Sequence, residues 1–67
     1  MNFGEVVSAV DRFYAEPLNR RIRVSTVFQI LSLEAAGADA ATVDGQIRRQ
    51  RRLISTGELP AASPPGR

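Results

Sequence analysis

Between Val24 and Ile54 the chain runs VSTVFQILSLEAAGADAATVDGQIRRQRRLI, a pattern that predicts two helices joined by a tight turn. Ser25 is the expected N-cap of the first of them, which should run over about 25–36. Val27, Phe28, Leu31 and Ala35 share one face at helical spacing, and Ile30 and Leu33 fall on another. Gln29, Ser32 and Glu34 are the only polar relief. A helix apolar on two sides is buried on two sides. It is either a central helix wedged between two others, or its second face, marked by Ile30 and Leu33, meets a second copy or another partner. Gly37 suits a left-handed cap at the end of this helix. Asp39 is the expected N-cap of the next, predicted over 39–56. There Ala40, Val43, Ile47, Gln50 and Ile54 line one face, while Ala41, Gly45, Arg48, Arg49 and Arg52 line the opposite one. Asp44 and Arg51 lie between. Gly57 is a natural stop.

Working outward, Asn2 and Glu5 have the spacing of a capping box ahead of an apolar stripe of Phe3, Val6, Val7, Val10, Phe13 and Tyr14. The residue before a proline is pushed out of the helical region, so Glu16-Pro17 should end this first helix near Ala15. Pro17–Val24 is a connector. Its alternation predicts an extended segment with Leu18, Ile22 and Val24 held to the core and Arg21 and Arg23 outside. From Gly57 the composition turns to Pro, Ala and Gly, and residues 57–67 are expected as a disordered tail that buries too little apolar surface to offset the entropy of ordering. The predicted fold class is thus all-α: a three-helix domain over 1–56, helix-turn-helix-like in its second and third helices. Its core is expected at Val7, Val10, Tyr14, Val27, Phe28, Leu31, Val43, Ile47 and Ile54.

Composition narrows the function. The sequence has 67 residues, no cysteine and no histidine. One domain is the most it can hold, and a domain this small is usually helped by a staple or a partner. The chain lacks disulfides and thiolate metal sites, the usual general base, and the commonest metal ligand. All nine basic residues are arginine, against seven acidic ones. With no His or Lys to activate a nucleophile and no Gly-rich phosphate loop, neither an enzyme nor a cofactor, metal or small-molecule site is expected. The N-terminal stretch, with Glu5 and no basic region ahead of an apolar run, is not expected to act as a signal peptide. No apolar run is long enough to span a bilayer, and a cytoplasmic location is the default expectation.

The distinctive constellation is basic. Arg48, Arg49, Arg51 and Arg52 place four positive charges within five residues. Arg20, Arg21 and Arg23 add a second cluster in the connector. Arginine favours bidentate contacts to phosphate and carboxylate, and two clusters can straddle a phosphate backbone or an acidic protein groove. The plainer reading is a solvated face that keeps a small protein soluble. Ala41 and Gly45, one turn apart on the face of Arg48 and Arg52, add a small-residue notch that allows close approach of another surface.

Gly37-Ala-Asp-Ala-Ala-Thr42-Val43, followed by Ile47, Arg49, Arg51 and Ile54, resembles the second half of a helix-turn-helix. It is most similar to the promoter-reading region of extracytoplasmic-function sigma factors and to response-regulator DNA-binding domains. The resemblance spans residues 37–54 and implies a helix-turn-helix-like shape, with duplex DNA as a candidate partner. Where that family has a small residue four positions before the turn glycine, this chain has Leu33. Asp39 and Asp44 stand at positions that would face phosphates. The expected function is therefore a small regulatory binding protein of inhibitor, antitoxin or adaptor type. It would dock on a protein with an acidic surface through Ala41, Gly45, Arg48, Arg49 and Arg52, with Arg20, Arg21 and Arg23 as a second contact. The alternative is a small DNA-binding transcription regulator.

Overall fold

The computed structural model describes residues 2–62. Three α-helices form: α1 over Phe3–Ala15, α2 over Val24–Ala35 and α3 over Ala40–Ser55. A single 3-10 turn, Pro17–Asn19, follows α1, and no strand occurs among the described residues. The fold is all-α.

Local chemistry sets the helix ends. At α1 the capping box closes both ways: Glu5 N–H donates to Asn2 Oδ1 at 2.8 Å, and Asn2 N–H donates to Glu5 Oε2 at 3.2 Å. At α3, Thr42 N–H donates to Asp39 Oδ1 at 2.8 Å. The start of α2 differs from expectation. Arg23 is its N-cap and makes no side-chain cap hydrogen bond, so Ser25 already lies inside the helix. The turn before α3 is a Schellman motif. Gly37 adopts φ +95°, Ala38 N–H reaches Leu33 O at 3.1 Å, and Gly37 N–H reaches Glu34 O at 3.1 Å. Gly57, at φ +80°, ends α3 in the same way, with Glu58 N–H on Leu53 O.

Helix α2 is the central element. It packs against α1 on one side and α3 on the other, and the 3-10 turn bridges α1 and α3. The molecule measures 32 × 28 × 17 Å. With a helix roughly 10–12 Å across including side chains, so thin a body leaves every helix a solvent face. The fully enclosed apolar core is accordingly small: Ile22, Val27, Ile30 and Val43. Val10, Tyr14, Leu31, Ile47 and Ile54 flank it, each half-buried.

Several expected core positions move. Ile30, expected either in a wedged core or on a second docking face of α2, is 4% exposed and belongs to the core, whereas Phe28, expected inside, is 46% exposed. The helix has rolled toward Val27 and Ile30. An all-round apolar helix offers more than one such roll, and the connector selects one. Ile22 is fully buried just before α2, and its carbonyl accepts a 2.6 Å hydrogen bond from the Tyr14 hydroxyl. Val7 is exposed because α1 meets only one neighbouring helix. Of the connector's apolar residues only Ile22 is pinned to the core; Leu18 and Val24 are exposed, since the segment begins as a 3-10 turn where an extended run was expected.

In the segment expected as a disordered tail, Gly57–Ala62 follow a defined course. Leu59 N–H donates to Leu53 O at 3.1 Å, and Ala62 N–H donates to Arg21 O at 2.9 Å. Residues 63–67 lie outside the described residues.

Candidate functional site

Helix α3 carries the candidate site because its two faces are chemically opposite. Val43 is buried, with Ile47, Gln50 and Ile54 half-buried along the same side. A 3.6-residue repeat then forces Ala41, Gly45, Arg48, Arg49 and Arg52 to the far side, and all five are exposed. A Cβ built on Gly45 would meet nothing within 4 Å, so the notch opens to solvent and no neighbouring element fills it. The connector arginines Arg20, Arg21 and Arg23 are exposed as well. Of the second surface, Leu33 remains outside at 39% exposure, and its exposed apolar companion on α2 is Phe28, since Ile30 belongs to the core. Phe28 and Leu33 line a shallow depression with Gln29, Ser32 and Ala36 between them.

Arg51 behaves differently from its neighbours. It is half-buried, and its Nε donates to Asn19 Oδ1 at 2.8 Å. Asn19, itself 4% exposed, donates from Nδ2 to Phe13 O at 3.0 Å. One buried amide therefore ties the end of α1, the 3-10 turn and α3 together. In the sequence, Arg51 reads as one charge among four and Asn19 as one polar residue of the connector. The available signal was an asparagine directly after Pro17-Leu18, where a rigid turn can aim a side chain inward.

Between the connector and the C-terminal half of α3 lies a groove of about 660 Å³. Leu18, Ile54 and Ala61 give it an apolar lining, and Arg21, Arg51 and Arg52 a cationic one. Arg21 Nε also donates to the Ala62 carbonyl at 3.3 Å, next to the groove-lining Ala61. Arg21 and Arg52, from the two separate sequence clusters, are thus brought to one groove.

The acidic groups near the arginines shape the field. Hydrogen bonds from the Thr42 side chain and its backbone N–H hold the Asp39 carboxyl below its ordinary range. Asp39 therefore carries its negative charge at the start of α3, and Asp44 is exposed one turn on. Among the described residues no three His, Cys, Asp or Glu side chains gather closely enough to hold a metal ion. No helix among them is long and apolar enough to cross a membrane.

Comparison of the chain with protein-family models, curated proteins and solved structures finds no match.

Proposed function

We propose that this chain is a small non-enzymatic regulatory binding protein that docks on a protein partner through the outer face of α3. The observation that carries this reading is the exposure, on one side of one helix, of Arg48, Arg49 and Arg52 beside the open Ala41–Gly45 notch. Three guanidiniums supply charge-assisted hydrogen bonds to carboxylates. A glycine in a helix interior costs roughly 1 kcal/mol relative to alanine, and nothing among the described residues uses the space it leaves. A surface that must be approached closely by another backbone gives that cost a purpose.

A second reading, a helix-turn-helix regulator on duplex DNA, draws support from the resemblance over residues 37–54 and from the exposed arginines. Against it stand Asp39 and Asp44, which put negative charge at the end of α3 that would enter the groove, and a net charge of only +2.

The two are separated by titrating the protein against labelled duplex DNA at several salt concentrations. On the proposed reading no salt-steep binding is found. On the DNA reading the logarithm of affinity falls by about 0.9 per phosphate neutralised per logarithmic unit of salt, and Arg48→Ala with Arg52→Ala flattens that slope.

A further inference from the structure

We infer that the groove between the connector and α3 receives an acidic segment of the protein partner that carries a branched apolar side chain, its carboxylate paired with Arg21, Arg51 and Arg52. The inference rests on the protein-partner reading above and adds a second contact beside the outer face of α3. Arg52 is common to both surfaces.

The lining of the groove selects the occupant by charge and polarity together. Leu18 is 66% exposed and stands with Ile54 at the groove. A solvent-facing leucine beside a half-buried isoleucine offers apolar area to a ligand and none to a phosphate backbone. The arginines beside it ask for an anion. A segment in which Asp or Glu neighbours Leu or Ile satisfies both demands, whereas duplex DNA satisfies only the second.

Arg51 is already oriented for this role. Its Nε is committed to Asn19 Oδ1 at 2.8 Å, and Asn19 is buried and anchored in turn on Phe13 O. A guanidinium has five N–H donors in a fixed planar fork. Holding one fixes the plane of the others, so less rotamer freedom is lost when a carboxylate arrives. The groove thus has one preset cation in the half-buried Arg51, an exposed one in Arg21 whose Nε rests on Ala62 O at 3.3 Å, and a third in the exposed Arg52.

The test uses the full chain and a dye-labelled peptide, Glu-Leu-Glu-Glu-Leu-Glu, read by fluorescence anisotropy, with backbone amide shifts to locate the contact. Three controls accompany it: the peptide with Gln for Glu, the peptide with Ser for Leu, and a labelled DNA duplex. The peptide is expected to bind and to shift the amides of Leu18, Arg21 and Ser55. Each peptide substitution is expected to weaken binding by about tenfold, the scale of one charge-assisted hydrogen bond or one buried leucine. Leu18→Ser and Arg21→Gln, both at exposed positions and checked for unchanged helicity, are expected to do the same. Absence of binding overturns the inference. So does equal binding of the Ser-substituted peptide or a preference for the duplex, either of which would mean a general affinity for polyanions. A native partner that is lost on Gly45→Leu but retained by Leu18→Ser and Arg21→Gln would overturn the groove alone and leave the outer-face reading standing.

Discussion

Asn19 makes more connections than any residue around it and was the least conspicuous in the sequence. It bonds the Phe13 carbonyl and the Arg51 side chain from a position almost closed to water. Asn19→Ala strips both partners and leaves a half-buried carbonyl and a half-buried guanidinium without their bonds, at a cost of about 2 kcal/mol. A single small core rarely supplies more than about 3–5 kcal/mol, so urea denaturation should show a large share of the stability gone. Gly45→Ala should do the reverse. The new methyl meets nothing, and the helix gains about 1 kcal/mol in propensity, seen as a higher urea midpoint. Two titrating groups act in opposite directions. Burial raises the Tyr14 hydroxyl above its ordinary value of 10.0, so its contribution is full below that value and is lost as pH rises through the folded one. Asp39 is held low by Thr42. Its contribution is full above the ordinary carboxyl range and is lost as pH falls through the folded value. Thermal melts of Tyr14→Phe and Asp39→Ala against pH should each remove one limb of the dependence and leave the other.

At the scale of the element, α2 separates what periodicity can foretell from what it cannot. Its existence, length and central place follow from apolar residues on two sides and from Gly37 at its end. Its roll does not, because Val27 can pair with Phe28 and Leu31 or with Ile30, and both sets are apolar. The choice is made outside the helix, by a buried Ile22 and the Tyr14 hydrogen bond to it, neither of which a helical repeat encodes. Helix α3 shows the converse. With Val43, Ile47 and Ile54 on one side and Arg48, Arg49 and Arg52 on the other, its roll was legible, and all five residues expected on its outer face are exposed. The roll of α2 has a direct consequence for stability. Ile30→Ala should cost about 2–5 kcal/mol, as deletion of a core side chain does, while Leu33→Ala should cost less than about 1 kcal/mol at its exposed site. Chemical denaturation of the pair checks it, and equal costs would restore the other roll. If two copies of the chain meet through α2, they do so at Phe28 and Leu33, and Leu33→Glu should halve the mass seen by light scattering.

For the whole molecule, the thinness of the body explains both its small core and its surplus of exposed apolar side chains. Only α2 among the three α-helices touches both of the others, and among the described residues Phe3, Val7, Leu18 and Phe28 have no further layer over them. The proposed partner would supply such a layer. Gly57–Ala62 supply a little of it from within, since Leu59 is half-buried and Ala62 is bonded to the connector. Composition alone did not foretell that return, because Pro and Ala say nothing of a main-chain hydrogen bond to Arg21. Removing Glu58 onward should therefore lower the thermal midpoint by about 4–8 °C, the shift that roughly 1 kcal/mol produces in a domain of this size. We propose that the outer face of α3 meets a protein. That contact is tested most directly by nuclease-treated affinity capture from the cells of origin with three baits: the native chain, Gly45→Leu, and Arg48→Ala with Arg52→Ala. One protein should be held by the native chain, lost on Gly45→Leu and reduced by the arginine pair. A protein retained equally by all three, or material that disappears with nuclease, would contradict the proposal.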